Sequence, residues 1–146
     1  MAVHTDTSSV ADVRAVIDAW AAALRAKDAD GVISHQTPDF VQFALAPPLR
    51  ASALDRSGLD EWFASWRGRI EYEIRDQSIM AGNQLAFCHS LKRMTGTSLG
   101  GEKTDLWFRQ TMCFCKLGDE WKITHEHDSV PFYMDEEPRA AIDLEP

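Results

Sequence analysis

Basic residues are scarce in this chain and nowhere gather. Fifteen Lys and Arg stand against 23 Asp and Glu in 146 residues, a net charge of −8. The nearest approaches to a cluster are the pairs Arg67 and Arg69, and Lys92 and Arg93. Such a chain repels a phosphate backbone, so nucleic acid is not an expected partner. Long apolar runs are missing too: none approaches the roughly 18 residues of a membrane span. The opening MAVHTDTSSV has neither the basic nor the apolar segment of a secretory signal. Cysteine is confined to Cys88, Cys113 and Cys115, an odd number, all inside apolar β-like stretches. Two residues apart on one strand is a strained spacing for a disulfide, and no second cysteine pair exists to complete a zinc site. Reduced packing cysteines in a cytoplasmic protein are the expectation. Internal repeats and low-complexity segments are absent.

Hydrophobic residues make up 45% of the chain and charged residues 26%, the balance of one globular domain. Val10, Val13, Ile17, Trp20 and Leu24 recur in steps of three and four, which predicts an amphipathic helix capped by Ser9. KDADGVISHQ reads as a break and a short second helix, capped by Asp28 or Asp30 and stopped by Pro38. DFVQFALA reads as a strand ending at Pro47 and Pro48. SGLDEWFASWRG reads as a third helix with Leu59, Trp62, Phe63 and Trp66 on one face and Gly68 just past its end. From Arg69 the period changes from helical to alternating. RIEYEIRD, LAFCHSLKRMTGT, KTDLWFRQTMCFCKL and EWKITHEHDSV are strands divided by Gly82–Asn83, Gly100–Gly101 and Gly118–Asp119. The pattern predicts an α+β domain, helices covering one face of a curved antiparallel sheet. Its core spans about residues 9–132, and an acidic tail, 133–146, packs loosely.

One strand is apolar on both sides: Leu106, Phe108, Met112 and Phe114 alternate with Trp107, Cys113 and Cys115. A sheet with one wet face would alternate with polar residues instead. The helices cover one face, so a second copy of the chain is expected on the other.

The stretch WKITHEHDSVPF gathers His125, Glu126, His127 and Asp128. It admits three readings. His125 and His127, joined by His89, could ligate a metal, which needs at least three converging groups. Glu126 or Asp128 against an apolar wall could shuttle protons. The histidines could instead belong to a hydrogen-bonded interface layer, and Glu126 to an ordinary ion pair with Lys92 or Arg109.

DLWFRQT, a short turn and W-K-I-T-H-E-H-D-S-V-P-F resemble the SnoaL-like, ketosteroid-isomerase-homologue branch of the NTF2-like superfamily. The ending is also similar to that of the association domain of calcium/calmodulin-dependent kinase. The resemblance covers about residues 9–132. It implies a cone of three N-terminal helices on a curved, mostly antiparallel sheet enclosing a pocket, usually dimeric. Steroid isomerases carry a carboxylate on the first strand and a tyrosine on the first helix. Here those places hold FVQFALA and Trp20, so steroid isomerisation proper is not implied. The arginines of the kinase domain correspond to Lys92, Met112 and Asp128.

Which side of the last strand faces inward decides the site. Apolarity alone would bury Trp121, Ile123, His125 and His127; the resemblance turns Thr124, Glu126 and Asp128 inward. A three-residue loop, Leu117–Asp119, would pair Lys116 with Glu120 and so set even residues against even ones. The wall would then combine Phe108, Gln110, Met112 and Phe114 with Thr124, Glu126 and Asp128, and the other face would present Trp107, Arg109, Thr111, His125 and His127 to a partner subunit. The resulting expectation is a small-molecule-binding domain. As an enzyme it would be a cofactor-independent and metal-independent isomerase, cyclase or dehydratase acting on a small apolar or carbonyl compound. Glu126 is then the first catalytic candidate and Asp128 the second. Lys92, Phe108, Gln110, Met112, Phe114 and Thr124 would contact substrate. The alternative is a non-catalytic oligomerisation or ligand-sensing module.

Overall fold

The computed structural model describes residues 5–52 and 56–146. In chain order the elements are α1 (Thr7–Arg25), α2 (Ala29–Ser34), β1 (Gln36–Phe43), β2 (Ala51–Ser52), α3 (Arg56–Ala64), β3 (Trp66–Ala81), β4 (Leu85–Ser98), β5 (Lys103–Leu117), β6 (Glu120–Ser129), β7 (Phe132–Tyr133) and β8 (Arg139–Ala140). Six strands form one sheet in the order β2-β1-β6-β5-β4-β3. Its hairpins are antiparallel, but β1 runs parallel to β6, so the sheet is mixed.

The 3.6-residue period does what it forecasts in α1. Val13, Ile17, Trp20 and Leu24 are buried along one stripe that packs against β3. The cap lies three residues earlier than Ser9. The Asp6 side chain accepts from the Ser8 amide, and Ser9 is drawn in to donate its hydroxyl to Asp6 at 2.9 Å. Asp28 caps α2 through the Gly31 amide at 3.0 Å.

Pro38 does not end α2, which stops at Ser34; it lies inside β1. There the pairing with β6 jumps from Gln36↔Ile123 to Val41↔His125. The proline falls within that irregular stretch, where a missing amide costs no ladder bond. Helix α3 is likewise shorter than its pattern. It buries Leu59 and Phe63 and ends at Ala64, while Trp66 opens β3. Gly68 (φ 69°) and Asp76 (φ 53°) sit at two register shifts in β3, the extra residues of bulges that bend the long strand over the helices. The tail is more ordered than its composition suggests: β7 and β8 pair as a small hairpin and Ala141 is buried, though Met134 and Ile142 stay exposed.

The β5–β6 hairpin corrects the expected register. Its loop has two residues, Gly118 (φ 61°) and Asp119, with Leu117 opposite Glu120 and Lys116 opposite Trp121. That alone would turn Trp121, Ile123, His125 and His127 inward. A bulge then intervenes: Phe114 pairs with Ile123, Cys113 with His125, and Thr124 has no partner on β5. Beyond it Met112 faces Glu126 and Gln110 faces Asp128. Trp121, Ile123 and Glu126 are consequently all buried, while His127 is exposed. Both parities hold, each for half the strand.

Removing the bulge should be destructive. With Thr124 deleted, either Trp121 and Ile123 or Glu126 and Asp128 must change faces. Exposing Trp121 and Ile123 costs about 1.5–3 kcal/mol each. We expect the deletion to abolish cooperative urea unfolding, whereas Thr124→Val, which keeps the extra residue, should leave the unfolding free energy within about 1 kcal/mol of the parent.

Candidate functional site

On the inner face of the sheet, strand alternation brings a polar group from each of several strands into an apolar interior. Strand β4 contributes Lys92, β5 contributes Gln110, β6 contributes Glu126 and Asp128, β3 contributes Tyr72 and β1 contributes Gln42. Lys92 is wholly inaccessible, Gln110 2% exposed and Glu126 4% exposed. Phe108 and Met112 are buried beside them, and Trp20 of α1 closes over the cluster.

Each carboxylate is held by an amide. Gln42 donates its Nε2 to Glu126 Oε2 at 2.8 Å, and Gln110 donates its Nε2 to Asp128 Oδ1 at 2.9 Å. Gln110 also lies 3.4 Å from the Tyr72 hydroxyl. Tyr72 packs edge-on against Trp20 and Phe108, with centroids 5.7 and 6.1 Å away. The Lys92 ammonium sits 5.8 Å from the ring centres of both Trp20 and Tyr72. Four buried polar atoms of this cluster have no hydrogen-bond partner among the described residues: Lys92 Nζ, Trp20 Nε1, Gln110 Oε1 and Glu126 Oε1. Two are donors and two are oxygens, in an interior where an unmet polar group costs free energy.

Desolvation dominates the electrostatics. Burial, and then the neighbouring Asp128, raise Glu126 to about 8, against the opposing pull of Gln42 and Lys92. Burial lifts Asp128 to about 6, restrained by its bond from Gln110 and by Lys92. Burial lowers Lys92 to about 8, opposed by Cys88, Glu126 and Asp128. Tyr72 is pushed well up by burial and by the two carboxyl groups, so its phenol stays neutral. Two carboxyl groups raised toward neutrality thus stand two residues apart on one strand, beside an amine lowered toward it.

The structure brings together Glu126, Asp128, Lys92, Phe108, Gln110 and Met112. Phe114 lies further toward the hairpin, opposite Ile123, and Thr124 is spent in the bulge. Gln42 and Tyr72 escaped the sequence reading. The signals were there: a lone amide in FVQFALA, and a tyrosine between Ile70 and Ile74 on the inner parity of β3. His125 and His127 lie on the outer side, their rings against Phe43 and His125 Nδ1 2.7 Å from the Val41 carbonyl. His89 and His127 each pair with Thr111, so that residue separates them. The carboxylates do not pair with Lys92 or Arg109 through hydrogen bonds; Arg109 instead donates to Ser129 at 3.1 Å. An open recess of about 440 Å³ lies at the C-terminal end of α1, lined by Ala22, Arg25, Ala26, Lys27, Gly68 and Arg69. It contains none of the buried carboxyl groups, and Arg25 and Lys27 already donate to the Tyr72 and Trp66 carbonyls. The interior cluster is the better candidate because its polar groups are buried and only partly satisfied.

The raised Glu126 fixes a stability slope. Its unfolded value is near 4.5 and its folded value about 8. Between those limits the folded state holds the extra proton, so stability falls as pH rises. We expect Glu126→Gln to flatten that fall and to raise stability at pH 8 by about 1–3 kcal/mol in urea titrations, since it removes a buried charge while keeping the Gln42 contact.

Relatives agree with this fold. Residues 13–133 match the SnoaL-like domain family. Among solved structures, an NTF2-like protein of unknown function from Pseudomonas putida KT2440 is 27% identical, with a TM-score of 0.86 over 98% of this chain and 100% of that one. A ketosteroid isomerase-like protein from Erwinia carotovora atroseptica is 22% identical, TM-score 0.68, covering 85% and 97%. The association domain of Caenorhabditis elegans calcium/calmodulin-dependent kinase II (15% identical, TM-score 0.66, covering 84% and 95%) shares the fold. No curated protein gives a significant match. With its helices on a curved mixed sheet and a family match spanning most of its length, the chain belongs to the SnoaL-like family of NTF2-like proteins.

Proposed function

We propose that the interior cluster binds a small carbonyl compound and moves a proton on it, in an isomerisation, cyclisation or dehydration. The observation that supports this most directly is the pair of inward carboxyl groups, Glu126 buried and Asp128 half-buried, both raised by desolvation and beside unpartnered donors. Asp128, ionised near neutrality, is the base that removes a proton next to the carbonyl. The carbonyl oxygen meets Lys92 Nζ and the Trp20 indole N–H, which stabilise negative charge as it develops. Glu126 returns a proton from its neutral carboxyl to the product carbon or to a leaving hydroxyl. Gln42 and Gln110 hold the two carboxyl groups in place, and Phe108 and Met112 supply the dry wall. No step draws on a metal or an organic cofactor.

The competing reading, an oligomerisation module, has support of its own on the outer face. Leu85, Phe87 and Leu117 are 69, 43 and 49% exposed there, around Trp107, Arg109, Thr111, His125 and His127. A second copy packed through this face would cover them, and it leaves the interior site intact. Assembly and catalysis are thus compatible. Thr111, exposed and central between His89 and His127, is the place to test assembly. Thr111→Arg should convert the dimer to a monomer in size-exclusion chromatography with light scattering; a parent already monomeric would refute the interface.

Catalysis is tested by deuterium uptake next to the carbonyl of small ketones in D₂O, followed by NMR. Asp128→Asn should slow the protein-dependent uptake by about 100-fold or more. The rate should rise as Asp128 deprotonates near pH 6 and fall as Glu126 loses its proton near pH 8. Uptake that no substitution at Asp128 or Glu126 alters would remove both residues from the mechanism.

A further inference from the structure

We propose that Lys92 is a nucleophile that captures an aldehyde or ketone as an iminium ion in the interior of the cone. This rests on the proton-transfer reading above and narrows its substrate to carbonyl compounds able to condense with an amine.

The placement of Lys92 argues against a merely structural role. A buried lysine normally survives by pairing with a carboxylate. Here the amides of Gln42 and Gln110 bond Glu126 and Asp128, and Lys92 Nζ has no hydrogen-bond partner among the described residues. Its immediate neighbours are the faces of Trp20 and Tyr72, and its strand partners are Ile74 and Phe108. Burial away from water disfavours its ammonium form, against the attraction of the two ring faces, and the free amine is the attacking form. The lowering of Lys92 to about 8 agrees with this geometry. Exposed Lys103 has no comparable shelter, and Lys27 and Lys122 spend their ammonium groups on the carbonyls of Trp66 and Ser34.

The remaining groups fit the sequence of proton movements. The Nζ lone pair attacks the carbonyl carbon, the C=O π pair moves to oxygen, and one proton passes from nitrogen to that oxygen to give a neutral carbinolamine. Glu126 then protonates the hydroxyl, which leaves as water while the nitrogen lone pair forms the C=N bond. The balance is one amine, one carbonyl and one proton in, and one iminium and one water out. Asp128 removes the neighbouring C–H proton and the iminium takes up the electron pair as an enamine. Reprotonation and addition of water reverse the steps and free Lys92. A covalent cation sinks the electron pair more strongly than a hydrogen-bonded ammonium can.

The test treats the whole protein with propanal and cyanoborohydride at about pH 7.5 and maps alkylation by peptide mass spectrometry. The same preparation is assayed with propanal for deuterium uptake. Lys92 should be alkylated about tenfold or more faster than Lys27, Lys103, Lys116 or Lys122. That preference should vanish in urea, and propanal without reductant should leave no mass addition. Lys92→Arg, which keeps a cation, and Lys92→Met, which keeps the packing, should both abolish uptake; circular dichroism identifies whichever variant folds. Deuterium uptake with no alkylation of Lys92 would overturn the nucleophile and leave proton transfer standing. Selective alkylation with no uptake would support the nucleophile while refuting the proton-transfer assignment of Asp128. If Lys92 is labelled no faster than the other lysines and no uptake occurs, both ideas fail.

Discussion

Burial of charge-bearing groups governs this molecule more than any single contact. Glu126, Asp128 and Lys92 occupy an interior built from Trp20, Tyr72, Phe108 and Met112. Removing them from water penalises each charged form, which raises both carboxyl groups and lowers the amine. The three values converge on the neutral pH range from opposite directions. Groups that in water would be a fixed anion or a fixed cation become proton donors and acceptors. The acid–base division and the Lys92 reactivity proposed above both rest on that transfer out of water.

The backbone makes the burial possible by small irregularities. A two-residue turn and one unpaired threonine let a single strand bury Trp121 and Ile123 near the hairpin and Glu126 further along. Bulges at Gly68 and Asp76 and the irregular stretch around Pro38 bend the neighbouring strands. The sheet thus presents apolar packing at one end of β6 and inward polar groups at the other. The two inward acids are tolerated because each receives one amide bond, Glu126 from Gln42 and Asp128 from Gln110. What remains unsatisfied among the described residues is Lys92 Nζ, Trp20 Nε1, Gln110 Oε1 and Glu126 Oε1, the atoms on which the proposed binding rests.

Two faces of the same sheet answer different needs. The inner face carries few polar groups, each one specific; the outer face carries Arg109, Thr111, His125 and His127 among exposed apolar side chains. Because neighbouring residues on a strand point in opposite directions, Glu126 and His127 can serve separate purposes while adjacent in the chain. The dense polar stretch His125–Asp128 is therefore divided between the two faces of the sheet.

Periodicity in the chain by itself determined the helical stripe of α1, the four long strands and the apolar character of both sides of β5, because these follow from side-chain spacing alone. The candidacy of Glu126, Asp128, Lys92 and Gln110 was legible from strand parity joined to the family resemblance. Tertiary structure decided the rest. A bulge leaves no periodic trace, so the place of Thr124 emerged only when β5 was laid beside β6. Trp66 moved from helix to strand because its pairing with Ser98 outweighed local propensity. Gln42 and Tyr72 joined the site from strands far apart in sequence. Proton affinities belong wholly to this level, since desolvation is a property of everything surrounding a group and not of its neighbours along the chain.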